Sequence, residues 1–293
     1  MHTYITGASG FVGSAITQEL LAQGHRVSAQ SRSPKKQKTH DNLSWVSSPK
    51  ELNQPVDLLI NLAGKPLMAR WTKQAKQAFR DSRIGLTEAL YRDFSERPEF
   101  APGKVFNASA IGVYCGGQVA ENESASLGSS FAASLCRDWE AAARQFEQLG
   151  SQVCCFRFGV VLDPEGGALK AMLPAFRFGL GGRLGSGKQC FSWVSRDDLV
   201  GALLWSIGQD NLPATINLTA PEPLSNANFT QKLAQHLHRP AIFPAPTFIL
   251  QLLLGEGAKG FLLADLDVRP SYLQQSGYAF QHPDLDTFLQ SRL

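Results

Sequence analysis

The stretch Thr3-Tyr4-Ile5-Thr6-Gly7-Ala8-Ser9-Gly10-Phe11-Val12-Gly13 constrains the chain more than any other. Its apolar, β-branched start fits a buried parallel strand, and its glycines fall where that strand must turn abruptly into a helix. Gly7 permits the tight turn, Gly10 lets backbone N–H groups approach a pyrophosphate with no Cβ between, and Gly13 lets the helix lie close on the sheet. Ile16, Leu20 and Leu21 continue as a helical stripe that ends at Gly24, so the helix N-terminus would face the anion. A second strand over His25 to Gln30 completes the unit, and this context lifts the stretch above a glycine-rich turn without chemistry. Thr6, Gly7, Ser9 and Gly10, with Phe11, Val12 and Gly13 at the helix start, are therefore candidate cofactor-binding residues.

The second strand ends at Ser31-Arg32-Ser33, with Lys35 and Lys36 just beyond. Folds that prefer NAD place an Asp or Glu there to hold the ribose 2′-OH. A guanidinium instead pairs with a 2′-phosphate, so NADP is expected rather than NAD, with Arg32 as principal contact and Ser31 as helper. The competing reading of Arg32 is an exposed loop arginine.

Further strands are expected at Leu43 to Val46 and Val56 to Leu62, the latter closing at Ala63-Gly64. Leu62, Ala63 and Gly64 should border the cofactor. Thr72 opens a long helix through Phe94 that carries Ala75, Phe79, Leu86 and Leu90. Arg70, Trp71 and Arg83 read as substrate-facing or as surface, and Arg83 is counted among the cofactor candidates. Lys104 to Ser109 is the fifth strand, so Ala108 and Ser109 lie at a carboxyl end, followed by a small-residue turn to Tyr114. An amphipathic helix over Phe131 to Gly150 and a sixth strand over Gln152 to Phe158 follow. This alternation implies right-handed crossovers and an α/β fold with a Rossmann-type doubly wound parallel sheet.

Beyond it, repeated glycines mark a loop-rich substrate lobe with one helical pattern around Leu169 to Phe178. Gln189 to Val194 reads as a strand, Asp197-Asp198 as the cap of a helix, Ile216 to Leu218 as a strand, and Ser225 as another helix cap. Pro240 to Pro246 is a stiff connector to a final helical lobe over Thr247 to Leu293. The expected division is a nucleotide-binding domain over 1–220, with 160–190 contributing to a smaller C-terminal α/β substrate lobe, and a small domain over 245–293. Phe248 to Leu254 is apolar all round but too short to cross a bilayer, so burial against the substrate lobe or a partner subunit is expected.

Composition narrows the classes. With 293 residues and 43% hydrophobic content the chain can build a large core. A net charge of +3, from 28 Lys plus Arg against 25 Asp plus Glu, is too slight for a polyanion surface, so no nucleic acid partner is expected. Five cysteines, an odd number set mostly in regular segments, read as reduced thiols. His236 and His238 point to different faces and no zinc-ligand spacing occurs, so no metal is expected. With no apolar run near ~18 residues, a cytoplasmic protein without membrane contact follows.

The glycine fingerprint, Asn61-Leu62-Ala63-Gly64, the Ser109 to Tyr114 turn, Arg157, Trp193 and Asp197-Asp198 together resemble the extended short-chain dehydrogenase/reductase family. Gly64-Lys65-Pro66, Arg70-Trp71-Thr72, Cys136-x-x-Trp139-Glu140, Gly159-Val160-Val161-Leu162 and the Gly179 to Gly187 glycines look like its atypical branch called "epimerase family protein". That branch carries a small C-terminal domain of unknown function, matched by Pro246 to Leu293. The resemblance implies a Tyr-x-x-x-Lys pair for proton transfer, yet alignment puts Phe131 and Leu135 there, or Ala132 and Cys136 in the neighbouring register. Ser109 and Tyr114 are the remaining catalytic candidates, Tyr114 either as a substitute acid or as a pocket-lining ring. Cys136 is a reactive or an inert thiol, Trp139 a core residue, and Glu140 a solvent or pocket residue. Two functions fit: an NADP-dependent oxidoreductase or epimerase acting on a small carbonyl or nucleotide-sugar-like substrate, or a catalytically silent NADP(H)-binding regulatory module. The resemblance also implies a homodimer built through the Lys73 to Phe94 and Phe131 to Leu149 helices.

Overall fold

Strand β1 (His2–Thr6) is buried along its whole length, as a parallel strand covered on both faces must be. The structure, a computed structural model, describes residues 1–38 and 41–293. After β1 come β2 (Arg26–Gln30), β3 (Leu43–Val46), β4 (Leu58–Asn61), β5 (Lys104–Ala110), the short β6 (Val119–Ala120) and β7 (Gln152–Phe158). The later strands are β8 (Val160–Asp163), β9 (Cys190–Phe191), β10 (Trp193–Ser195), β11 (Thr215–Leu218), β12 (Leu224–Ser225) and β13 (Asp267–Val268). The helices are α1 (Phe11–Ala22), α2 (Lys73–Arg80), α3 (Leu86–Ser95), α4 (Phe131–Arg144), α5 (Gly167–Arg177), α6 (Arg196–Ile207), α7 (Asn226–His236), α8 (Thr247–Leu254), α9 (Ser271–Gln275) and α10 (Leu285–Arg292).

The central sheet runs β3-β2-β1-β4-β5-β7-β11, with every pairing parallel. Its order reverses between β1 and β4, which opens a crevice at their carboxyl ends. On one face Ile16, Leu20, Leu199 and Leu203 of α1 and α6 pack against Ile5, Ile60 and Phe156. On the other, Leu90, Phe94, Ala143 and Phe146 pack against Tyr4, Leu59 and Val105. The expected Rossmann-type doubly wound fold is the observed one.

Four local expectations are corrected. The long helix after Thr72 is two helices joined by a π-helical turn over Asp81–Gly85, a wider turn that no apolar stripe announces. Helix α6 is capped by Ser195 rather than by Asp197-Asp198, because Ser195 leaves β10 extended and its Oγ accepts from the Asp198 N–H at 2.9 Å. The Asp198 carboxylate instead accepts from the backbone N–H groups of Gln281 (2.6 Å) and His282 (2.9 Å), fastening the C-terminal segment to the start of α6. The helical pattern expected through both His236 and His238 stops at His236, with His238 left-handed at φ 53°.

The fourth concerns α8, whose expected burial against the substrate lobe is not found within the chain. Phe248, Leu252 and Leu253 stand 69%, 70% and 64% exposed. The segment is held instead from its C-terminal side, where Leu254 O accepts from Trp71 N (3.4 Å) and Gly257 and Gly260 press on the Trp71 indole. Among the described residues no helix is long and apolar enough to cross a membrane.

Candidate functional site

The β1–α1 turn is shaped by its glycines. Gly7 has φ +69°, and an added Cβ would lie 3.0 Å from Ala63 N and Leu62 C at the end of β4. A Cβ on Gly13 would land on the Gly7 carbonyl oxygen. Gly10 donates its N–H to Gly7 O (2.8 Å) and caps α1 with extended backbone and no side-chain hydrogen bond. The first-turn N–H groups of α1 therefore remain for an outside acceptor, at the positive end of the helix dipole. Ser9 and Gly10 are exposed, while Val12 packs partly on the core. The Phe11 ring lies against Gly166 and Gly167, where no side chain fits, and under the Arg196 guanidinium at 5.3 Å. Arg196 and Arg292 both pair with the buried Asp163 (3.1 and 2.7 Å), so α10 braces the wall that holds Phe11.

A buried polar floor supports this turn. Thr6 Oγ1 donates to Asn61 Oδ1 (2.6 Å) and accepts from the N–H groups of Leu62 and Ala63 (both 3.1 Å). The Thr6 hydroxyl, placed among the cofactor candidates, is thus turned into the protein and acts by positioning the end of β4. Asn61 Nδ2 donates to Asn107 Oδ1 (2.6 Å) and Thr87 Oγ1 (2.8 Å), and Trp139 Nε1 donates to the same Thr87 oxygen (3.1 Å). Thr87 in turn donates to Arg83 O (2.7 Å), so its hydroxyl is fully satisfied. Residues Asn61, Thr87 and Asn107 carry no signal in the stripe patterns; the only hint is an amide standing inside each of two apolar strands.

At the carboxyl end of β2, Arg32 is exposed, and no hydrogen bond or ion pair engages it among the described residues. Ser31 Oγ accepts from Ser33 N (3.1 Å), which curls the chain just after the strand. On the opposite side of the phosphate turn, the Arg83 guanidinium lies against Gly64, where an added Cβ would stand 2.9 Å from it. It also stacks over the Trp139 ring at 5.3 Å and donates to Lys65 O (3.0 Å). Ala108 and Ser109 are buried at the end of β5.

The catalytic candidates are held in an ionic network. Ser109 Oγ donates to Glu140 Oε1 (2.6 Å), and Arg157 grips the same carboxylate through Nε and Nη2, each at 2.9 Å. Glu140 is therefore a buried partner of Arg157, not a solvent residue; its place on α4 faces the carboxyl ends of β5 and β7. Tyr114 OH donates to Asn217 Oδ1 (2.7 Å) and accepts from Arg157 Nη1 (2.8 Å). Burial pushes the Tyr114 pKa up despite the arginine, so the phenol stays protonated with its proton already committed. Burial likewise pushes the Cys136 thiol up to about 11, which removes a thiolate nucleophile at neutral pH. Phe131, Ala132 and Leu135 pack with Trp71 and Phe79; Ala132 also lies by Gly112, and Cys136 lies by Ser109. Cys136 thus faces the end of β5, with Ala132 beside the turn that follows it.

This arrangement can seat a diphosphate on backbone N–H groups, with one cation on either side, over a rigid hydrogen-bonded floor. Comparison with known proteins identifies the family. The model described as "NAD dependent epimerase/dehydratase family" matches residues 3–218, and that described as "Domain of unknown function (DUF1731)" matches residues 245–291. The chain is similar to an "Epimerase family protein" of Mycobacterium bovis, 39% identical over 287 residues and covering 95% of this chain and 93% of that one. A relative of the same description from Staphylococcus aureus is 36% identical over 299 residues, covering 98% and 97% of the two chains. Among solved structures, the human epimerase family protein SDR39U1 (isoform 2), crystallised with NADPH, superposes with a TM-score of 0.88 at 29% identity, covering 100% of this chain and 99% of that one.

Proposed function

Because the chain belongs to the NAD dependent epimerase/dehydratase family, in its epimerase family protein branch, we propose that it is an NADP(H)-binding oxidoreductase or epimerase acting on a small carbonyl or nucleotide-sugar-like substrate. The observation that carries the reading is the β1–α1 turn, where a Cβ on Gly7 or Gly13 would strike the backbone of Ala63 or Gly7, and Gly10 heads α1 with no side chain before its first-turn N–H groups. Its N–H groups suit the diphosphate, and Arg32, exposed at the end of β2, suits the 2′-phosphate through paired hydrogen bonds. The human relative's NADPH supports the same choice of coenzyme. Leu62, Ala63 and Gly64, held by Thr6, and Ala108 with Ser109 would border the nicotinamide side. The coenzyme supplies hydride transfer; the protein's part is to bind, orient and exclude water.

The division of labour follows from the same reading. Residues 1–220 form the nucleotide-binding unit, 160–190 add to the substrate lobe, and 245–293 form the small C-terminal domain that braces Phe11 through Arg292. All five cysteines are free thiols, which suits a cytoplasmic setting.

Single turnover of bound NADPH against a panel of aldehydes, ketones and nucleotide sugars tests the enzymatic reading. Decay of NADPH absorbance with at least one carbonyl is the expected result, and no decay across the panel counts against turnover. A second reading is favoured by one observation: the α4 face at the end of β5 presents Ala132 and Cys136 instead of an acid/base pair. On that reading the protein is a catalytically silent NADP(H)-binding module, and pull-downs with and without NADP(H) should recover different partners.

A further inference from the structure

We propose that α8 and the two loops leading to it form a docking surface for an anionic lipid bilayer, with lipid phosphates seated between Arg183 and Arg239; this is independent of the NADP(H) reading. The first component is apolar. In α8 the exposed side chains include Phe248, Ile249, Leu252 and Leu253, a spacing of i, i+1, i+4 and i+5 that gathers them on one helix face. On the adjoining loops Phe178, Leu180, Ile242 and Phe243 stand 81%, 60%, 71% and 54% exposed. Those loops run side by side: the Phe243 N–H donates to Gly181 O (3.3 Å), the Ala245 N–H to Arg183 O (2.9 Å) and the Gly185 N–H to Ala245 O (2.9 Å). Helix α8 opens directly after Pro246, at the end of this ribbon. The ribbon and α8 thus present eight large apolar side chains to solvent, where a surface without a partner scatters them singly.

The second component is charge. No Asp or Glu occurs from Gly166 to Arg196 or from Pro223 to Gly255, although the chain holds 25, and these two spans carry seven Lys and Arg. Arg196 and Lys232 pair with carboxylates, whereas Lys170, Arg177, Arg183, Lys188 and Arg239 are exposed without an acidic partner among the described residues. Arg183 and Arg239 line a groove of about 630 Å³ with Gln235, His238, Ile242 and Pro244, so the basic groups meet the apolar ledge along one edge. Arg239 is fixed there by a bond from Nε to Arg177 O (3.0 Å), which uses one of its five donors.

The two components together select the partner. Phe and Leu side chains that enter the acyl boundary, flanked by Lys and Arg at headgroup level, are what a surface-lying anchor uses. Guanidinium groups match lipid phosphates in geometry as well as charge. A second copy of the chain fits less well, because a two-fold contact sets one basic rim against another and neither span offers a carboxylate to offset it. With eight residues, α8 is long enough to lie on a bilayer and too short to cross one.

Vesicle sedimentation of the full-length protein tests the surface, with phosphatidylcholine vesicles that contain or lack phosphatidylglycerol. The protein should sediment with the anionic vesicles and stay in solution with the neutral ones, and added salt should release it. Arg183→Gln with Arg239→Gln should lower the partition constant about 10-fold to 100-fold. Phe248→Ser with Leu252→Ser should lower it by about 100-fold or more, while circular dichroism and sedimentation velocity in solution stay unchanged. If the α8 variant does not fold, Phe178→Ser with Leu180→Ser, on the neighbouring loop, should give the same loss. No sedimentation with either vesicle, or equal sedimentation with both, overturns the proposal. So does a native dimer that the α8 variant dissociates, which would make the patch a contact between copies.

Discussion

Glu140 and Arg157 meet through two hydrogen bonds of 2.9 Å, Nε to Oε1 and Nη2 to Oε2, with their side chains only 8% and 6% exposed. The pair ties α4 to β7, and Ser109 and Tyr114 each hydrogen-bond to one of its members. Burial works against the Arg157 charge, but the bonds to Glu140 raise its pKa overall. Removing one partner leaves a buried, uncompensated charge. Glu140→Gln should therefore cost about 3–5 kcal/mol in urea unfolding, and the double replacement Glu140→Met with Arg157→Met should cost less than the single one. A single-variant loss below about 1 kcal/mol would mean that water already screens the pair.

Thr87 is the hub of the floor, with Asn61 Nδ2 and Trp139 Nε1 as its donors. Thr87→Val keeps the shape and removes the acceptor, leaving two buried donors unsatisfied at about 1–3 kcal/mol each. The expected loss is about 2–6 kcal/mol by chemical denaturation, together with weaker coenzyme binding, since the ends of β4 and α3 lose their common anchor. A fully stable variant with unaltered binding would show that the floor does not position the site.

Gly10→Val tests the cradle without touching the core. Its Cβ would come within 3.0 Å of Gly7 O, and its branched methyl groups would occupy the anion's place at the start of α1. Circular dichroism should remain native while NADPH binding disappears from calorimetric titration. Retained binding would place the diphosphate elsewhere.

His2 gives the fold a pH dependence. Burial lowers its pKa, against a raising hydrogen bond to Pro55 O (2.7 Å), and its other ring nitrogen meets Ser28 Oγ at 2.9 Å. With the folded pKa below the unfolded one, the neutral ring contributes stability above about pH 6.5, and that contribution is lost as pH falls through the folded value. Unfolding free energy should drop between about pH 7.5 and 5.5, and the drop should be smaller in His2→Gln. Equal drops in both proteins would remove His2 as a cause.

What could be read from the sequence was local. The β1–α1 turn and the strands Leu43–Val46 and Gln152–Phe158 follow from short-range glycine placement and apolar runs, and the structure has them. The floor was not legible, because Asn61, Thr87 and Asn107 meet only through the register of β4 on β5 and the packing of α3. The choice between solvent and pocket for Glu140 is not legible for the same reason: its partner Arg157 lies on a strand distant in sequence. The π-helical turn at Asp81–Gly85 leaves the apolar stripe nearly intact, so periodicity reads straight through it. Ser195 rather than Asp197 caps α6 because the cap is chosen by where β10 stops, which composition does not announce.

Calorimetric titration of the purified protein with NADPH and with NADH is the most direct measurement of the dinucleotide cradle and its basic rim. NADPH should bind about 10-fold to 100-fold more tightly than NADH, through the Arg32 contact to the 2′-phosphate, and Arg32→Asp should erase or invert the preference. No measurable affinity for either coenzyme would contradict the cradle itself, and equal affinity for both would contradict the role of Arg32.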